Sequence, residues 1–235
     1  LISFGSQHTI IKYFSSFNTK KEKDNFMSSI IFLPLITIIP ITFLVVEFHD
    51  IIASFLSIEN PIIENYVWVI FLVAFATSYF EVFYSWARVQ LKSVFGNFLK
   101  EIFPRLAVLT LLALVYLNQI TKENFIWWLT GLYYLRLIIM IFYSFSLYLP
   151  KFTFSIPKNT KSILIYSLYI LLAGSAASIL IDIDKFMIPQ KQAISQTAFY
   201  AVAVFIATVV EIPGRAMFQI INPLVAKALN ENNFN

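Results

Sequence analysis

The 235 residues carry 59% apolar and only 13% charged side chains, with a mean hydropathy of +0.75, where a soluble domain carries about 25% charge; a water-soluble core of this length would lack the polar residues to cover it. The net charge of +4 is spread along the chain and not gathered into the basic segment of a nucleic-acid interface, so no nucleic-acid partner is expected. Cysteine is absent, which excludes disulfides, thiolate metal sites and cysteine nucleophiles.

The chain opens on Leu1 rather than Met and is read as an internal fragment, with residues 1–17 as the end of an earlier span entering a polar loop. Six apolar runs follow between charged stretches, at 29–46, 66–87, 106–120, 124–149, 162–181 and 192–210. Most approach the ~20 residues with which a helix crosses ~30 Å of hydrocarbon. The third is short, but Arg105 can snorkel to the headgroups and residues 102–104 can add a turn. The runs are continuously apolar, whereas barrel strands alternate. The expected fold class is therefore all-α, a polytopic transmembrane helical bundle of six clear spans with partial flanking segments. Residues 212–234 are less apolar and read as a connection at the same polar face as residues 1–17.

Basic residues alternate from loop to loop, as the positive-inside bias requires. One side holds Lys20, Lys21 and Lys23, then Arg88, Lys92, Lys100 and Arg105, then Lys151, Lys158 and Lys161, then Arg215 and Lys227. The other holds only Lys122, Lys185 and Lys191, and its first loop carries Glu47, Asp50, Glu59 and Glu64. The Lys20, Arg88, Lys151 and Arg215 loops are therefore expected in the cytoplasm, and the Asp50, Lys122 and Lys185 loops outside. A faint repeat relates Ile10-Ile11-Lys12-Tyr13-Phe14 and Asp24-Asn25-Phe26 to Leu224-Val225-Ala226-Lys227-Ala228 and Asn232-Asn233-Phe234; either a two-lobed transporter or chance in a low-complexity apolar sequence produces it.

Three stretches carry a family resemblance: Ile181-Asp182-Ile183-Asp184-Lys185-Phe186-Met187-Ile188 with Phe199-Tyr200-Ala201-Val202-Ala203; Asn222-Pro223-Leu224-Val225-Ala226; and Trp86-Ala87-Arg88 through Lys92 to Phe95. In these the chain resembles the polysaccharide-exporter branch of the multidrug/oligosaccharidyl-lipid/polysaccharide flippase superfamily, which includes O-antigen and lipid-linked oligosaccharide flippases. The resemblance implies a two-lobed transporter in which residues 1–150 belong to an N-terminal lobe lacking its first helices, 151–161 form the cytoplasmic linker, and 162–235 begin the second lobe. It also implies export of a lipid-linked oligosaccharide or polysaccharide precursor across the cytoplasmic (inner) membrane by alternating access, with membrane lipid, the lipid-linked sugar and polysaccharide-assembly enzymes as partners.

Arg136 lies in the middle of the fourth run, where a charge costs at least ~2.5–3.5 kcal/mol on insertion scales. It is the candidate contact for an anionic lipid diphosphate, since guanidinium binds phosphate bidentately; pairing with Glu81, or a shifted span boundary, accounts for it equally well. Glu81, seven residues before Arg88, is a candidate for proton or cation coupling, or a helix-end carboxylate answered by Arg88 or headgroup water. Arg88, Asp184 and Lys185 are further candidates for coupling or gating.

Asp182 and Asp184 form an Asp-x-Asp pair of the kind that holds a metal and a nucleotide sugar, but the charge pattern puts it on the wrong side for cytoplasmic nucleotide sugars, and a helix-end charge cluster is the simpler account. Glu47, His49 and Asp50 crowd three ligand types into one loop and make an incomplete metal site. No Walker loop, Gly-x-Gly-x-x-Gly or Ser-His-Asp order occurs, and His8 and His49 are the only histidines, so neither cofactor nor metal is expected and no enzyme is expected. A cation-coupled multidrug exporter is the rival within transport; a polysaccharide polymerase or ligase is the rival of another class, and needs a large outer loop that the sequence lacks. The small residues Ala173-Gly174-Ser175-Ala176-Ala177-Ser178 suit tight packing or a hinge, and Pro34 and Pro40 are candidate kinks.

Overall fold

A chain this apolar can cross lipid only if each backbone N–H and C=O is paired within its own segment. The computed structural model describes residues 2–152, 157, 159–192 and 194–230, and among them regular structure is helical throughout. The short helix α1 (Ser6–Tyr13) starts at Gly5, whose φ of 67° suits glycine. A Cβ there would also lie 2.8 Å from the Ser167 carbonyl oxygen. Helix α2 (Lys20–Phe32) opens with a capping box, Thr19 Oγ1 accepting from the Glu22 amide and Glu22 Oε2 from the Thr19 amide. Leu33 and Pro34 separate it from α3 (Leu35–Glu47), where proline cannot supply the next amide. An end-lying α4 (His49–Ser57) and a 3-10 turn at Pro61–Tyr66 lead into α5 (Val67–Val89).

Leu91, at φ 58°, turns the chain into α6 (Ser93–Asn97), a π turn at Phe98–Ile102 and α7 (Phe103–Tyr116). Then come α8 (Lys122–Leu147), α9 (Thr160–Met187), α10 (Ile194–Val209) and α11 (Ile212–Asn230).

Among the described residues four helical runs are long and apolar enough to span a membrane: Lys20–Glu47, Pro61–Val89, Lys122–Leu147 and Thr160–Leu180. A fifth is added if α10 and α11, bent by 57° at Val210–Glu211, count as one broken span. The six clean spans expected from sequence are thus four or five by length and hydropathy. The third expected run is the weak one: the 14 residues of α7 rise only about 21 Å, and Lys100, Glu101 and Arg105 charge the turns before and at its start. Large apolar side chains point outward on several helices, Phe43, Leu109 and Phe142 being 65%, 63% and 71% exposed, which suits lipid and not water as the surrounding solvent.

Helix α5 is the centre of the packing. Its Phe80, Phe83, Tyr84 and Ala87 join Leu99, Leu137 and Met140 in one core, while Val82 and Trp86 join Phe14, Phe26, Met27 and Ile163 in another. Ser144 Oγ donates to the Phe83 carbonyl at 2.7 Å, tying α8 to α5. Residues 2–17, expected as the end of an earlier span entering a polar loop, are largely buried: Thr9 Oγ1 meets Ser167 Oγ at 2.7 Å and Ile10 is fully covered. Ile163 of α9 shares the core of Phe4 and Trp86, so packing crosses the 151–161 segment.

The loops gather at two ends. At one end Tyr148 donates to Asp24 at 2.6 Å, Trp86 Nε1 to the Tyr148 carbonyl at 3.1 Å, Arg88 Nε to the Gln219 carbonyl at 3.0 Å and Asn230 Nδ2 to the Lys12 carbonyl at 2.9 Å. At the other, Asn60 Nδ2 donates to the Pro189 carbonyl at 2.8 Å and the rings of Phe55 and Phe186 stack 6.4 Å apart. We call these the basic and acidic ends. The first halves of the faint repeat meet, since α1 packs on α11; its Asn232-Asn233-Phe234, like Lys158 and the side chain of Asp182, lies outside what is described.

Candidate functional site

Tyr66, just before α5, and Val69, Ile70, Val73, Ala74, Thr77, Ser78 and Glu81 on it recur at helical spacing and so share one face. That face lines a cavity of about 930 Å³. Ile62, Ile63 and Ile126 line it toward the acidic end; along α5 the wall passes from Ile70 and Val73 to Thr77, Ser78 and Glu81. Along that helix the wall turns from apolar to polar toward the basic end. Ser3 and Gln7 add to it from the N-terminal segment, joined by a 2.6 Å hydrogen bond.

Glu81 is not answered by Arg88. Its Oε1 lies 2.7 Å from Lys100 Nζ, because the π turn carries Lys100 back against α5. A π turn widens the helix locally and recurs at functional sites. Lys100 also stands 5.4 Å from the centroid of the Tyr84 ring.

Arg88, expected at a cytoplasmic helix end, is buried there, its guanidinium 5.6 Å from the same ring and its Nε bonded to Gln219. The Tyr84 hydroxyl lies 2.8 Å from Asn97 Oδ1 and 2.7 Å from Gln219 Oε1. A phenol has one proton to donate, so one of the two amides is turned to present its NH₂ instead. Gly96 admits the Tyr84 ring: a Cβ there would fall 2.3 Å from Tyr84 Cδ2.

Arg136 is buried as its sequence position suggests, but it does not line the cavity. Its guanidinium carbon sits 4.2 Å from the Phe80 ring centroid and 4.7 Å from that of Tyr133. Its Nε reaches no hydrogen-bond acceptor among the described residues. Aromatic faces offset part of the cost of that charge, and Glu81, the alternative partner for it, is paired with Lys100.

No family model, curated protein or solved structure matches the chain.

Asp184 and Lys185 lie on α9 at the acidic end, far in the fold from Arg88; Asp184 Oδ2 accepts from the Tyr200 hydroxyl at 3.0 Å. His49 Nδ1 meets Asp50 Oδ1 at 3.1 Å, its ring stacks on Trp68, and among the described residues no three metal-ligating side chains converge. Outside the spans, burial and the bond to Asp24 raise the Tyr148 hydroxyl above its ordinary pKa. Sequence reasoning missed Lys100, Tyr84 and Gln219. The 3–4 spacing that ends on Glu81 marks the cavity face, whereas nothing local marks Gln219 as its neighbour.

Proposed function

We propose that the chain is the transport unit of an exporter that moves a lipid-linked oligosaccharide or polysaccharide precursor across the cytoplasmic membrane by alternating access. The observation that carries this reading is the cavity along α5, whose wall runs from Ile70 and Val73 to Glu81, the partner of Lys100. An apolar wall suits a long hydrocarbon chain, and the Lys100 ammonium behind Glu81 is proposed to turn to an anionic sugar diphosphate. Translocation requires no covalent step, so no enzymatic role is proposed.

The positive-inside bias assigns the basic end to the cytoplasm. We take the cavity to open outward in this state, with the bonds of Gln219 to Tyr84 and Arg88 at the cytoplasmic end. Helices α5 and α8 both finish at the basic end, as the Trp86–Tyr148 bond records, and the run 93–116 is proposed to return between them. With the bent α10–α11 pair as a span the proposed chain makes six traversals, and the two lobes of the resembled family are proposed to meet at 151–161. Arg136 is proposed to meet the substrate anion in a state that releases it from Phe80 and Tyr133.

The test is complementation with the full-length gene, scoring lipid-linked oligosaccharide on each membrane face in the deletion strain and in Lys100→Met. Accumulation on the cytoplasmic face in both supports the reading. Normal translocation in the deletion strain, with no redundant exporter present, removes it.

A cation-coupled multidrug exporter is the second reading, and Glu81 favours it because an intramembrane carboxylate reaches the cavity. It requires efflux of amphiphilic cations that falls with Glu81→Gln and responds to the proton or sodium gradient, with lipid-linked sugar unaffected.

A further inference from the structure

A cleft of about 330 Å³ separates α2 and the start of α3 from the first turns of α9. It shares no lining residue with the cavity along α5. Its floor is core, with Phe26, Ile30 and Ile163 buried, whereas Phe32 and Ile36 at its side are 51% and 49% exposed, so it opens sideways from the bundle. Both walls belong to runs long and apolar enough to span a membrane, Lys20–Glu47 and Thr160–Leu180, and what lies beside them is therefore hydrocarbon. None of the described lining residues is charged. The two hydroxyls are engaged by local backbone, Ser29 Oγ donating to the Asn25 carbonyl at 2.8 Å and Thr160 Oγ1 to the Pro157 carbonyl at 2.6 Å. From Phe26 to Ile36 a helix rises about 15 Å, half of the ~30 Å hydrocarbon core and so the depth of one leaflet.

The rim at the basic end supplies charge. Lys161 shares a face of α9 with Leu164 of the cleft, one turn nearer that end. It is exposed and meets no carboxylate among the described residues. On the α2 side Lys20, Lys21 and Lys23 outnumber Glu22, which accepts from the Thr19 amide, and Asp24, which accepts from Tyr148. An apolar slot one leaflet deep, open to lipid and rimmed by an ammonium, specifies a hydrocarbon chain with an anion at its end. We propose that this cleft holds one acyl chain of an anionic phospholipid from the leaflet at the basic end, with Lys161 at its phosphate. The chain covers Phe32, Ile36 and Leu164 and fills the gap between α2–α3 and α9. The site requires only that the bundle sits in a bilayer and does not rest on the transport reading.

The experiment uses the purified full chain in mixed micelles of phosphatidylglycerol and phosphatidylcholine, the former carrying a photoactivatable diazirine in one acyl chain. After delipidation, native mass spectrometry is expected to show phosphatidylglycerol retained over phosphatidylcholine. Irradiation is expected to attach its chain within residues 26–36 and 160–164. Leu164→Trp and Ser29→Leu fill the cleft from opposite walls. Each is expected to lower retention roughly tenfold or more, a factor that the lost burial of about two methylenes supplies. Lys161→Gln is expected to lower the preference for phosphatidylglycerol roughly fivefold and to leave the attachment where it was. Phe142→Trp, which adds bulk at an exposed apolar position of α8, is expected to change neither.

Equal retention of the two lipids by the unaltered protein overturns the proposal, as does attachment spread evenly over the lipid-facing helices. So does unchanged retention in a folded filling variant; the two variants alter different helices, so misfolding of one leaves the other to decide. A fall in Phe142→Trp equal to that in the filling variants reduces the effect to general lipid contact and overturns it too. A dimer found in place of retained lipid, and lost in Leu164→Trp, assigns the cleft to a second copy of the chain and overturns the lipid assignment.

Discussion

Glu81 Oε1 and Lys100 Nζ stand 2.7 Å apart, joining the cavity face of α5 to a π turn that interrupts the following helix. Both side chains are partly shielded, at 23% and 30% exposure. Removing one partner strands the other's charge, which costs more than the pair itself contributes. Glu81→Gln and Lys100→Met are each expected to destabilise the protein by about 1–3 kcal/mol, between the values for exposed and fully buried pairs. The double variant is expected to lose less than the sum of the two. Thermal unfolding in detergent across this cycle measures the coupling, and strict additivity would mean that the two charges do not interact.

Gly96→Ala drives a methyl group into the Tyr84 ring, whose nearest carbon lies 2.3 Å from the new Cβ. Overpacking of this kind costs about 1–3 kcal/mol, and here it also disturbs the hydroxyl that meets Asn97 and Gln219. Gly96→Ala is expected to lower the unfolding temperature, and Tyr84→Leu, which removes the ring, is expected to make the extra methyl nearly harmless. A Gly96→Ala protein as stable as its parent would contradict the close approach.

Arg136 separates stability from transport. Its guanidinium is stacked between Phe80 and Tyr133 with Nε unanswered. Arg136→Met keeps the bulk and removes a buried charge that has no carboxylate bound to it, so its stability is expected to change by less than about 1 kcal/mol or to rise. Export is expected to fall if the guanidinium meets the substrate anion in another state. Unchanged export with unchanged stability would leave Arg136 as a packing residue alone.

Much of the fold was legible in the sequence because two strong physical signals governed it. Apolar runs marked the helices, and the alternation of Lys and Arg grouped the loops that the structure brings to one end, as the Asp24–Tyr148 and Arg88–Gln219 contacts show. Span integrity was less legible. The run at 106–120 reads as apolar, but Lys100, Glu101 and Arg105 make its entry a charged π turn, and residues 212–230, read as a connection beyond the last run, form a helix bent by 57° from it. The site was half legible: the burial of Arg136 and the intramembrane position of Glu81 follow from their places within apolar runs. Their partners do not, because cation–π stacking on Phe80 and Tyr133 and the pairing of Glu81 with Lys100 depend on helix rotation and on a π turn that no composition rule specifies.

The lack of cysteine makes the orientation directly measurable by single-cysteine labelling in sealed membranes. Glu59→Cys and Lys191→Cys lie at the acidic end, and Lys21→Cys and Lys92→Cys at the basic end, all at exposed positions. A membrane-impermeant maleimide added outside intact cells is expected to label the first pair and to reach the second only after permeabilisation. Gln119→Cys, exposed just beyond α7, is the decisive position. Labelling from outside would establish that the charged run 93–116 crosses the bilayer between α5 and α8 despite its weak hydropathy. Labelling only after permeabilisation would keep that run on the cytoplasmic side, and α5 and α8 would then have to be antiparallel, against the bond that Trp86 makes to Tyr148.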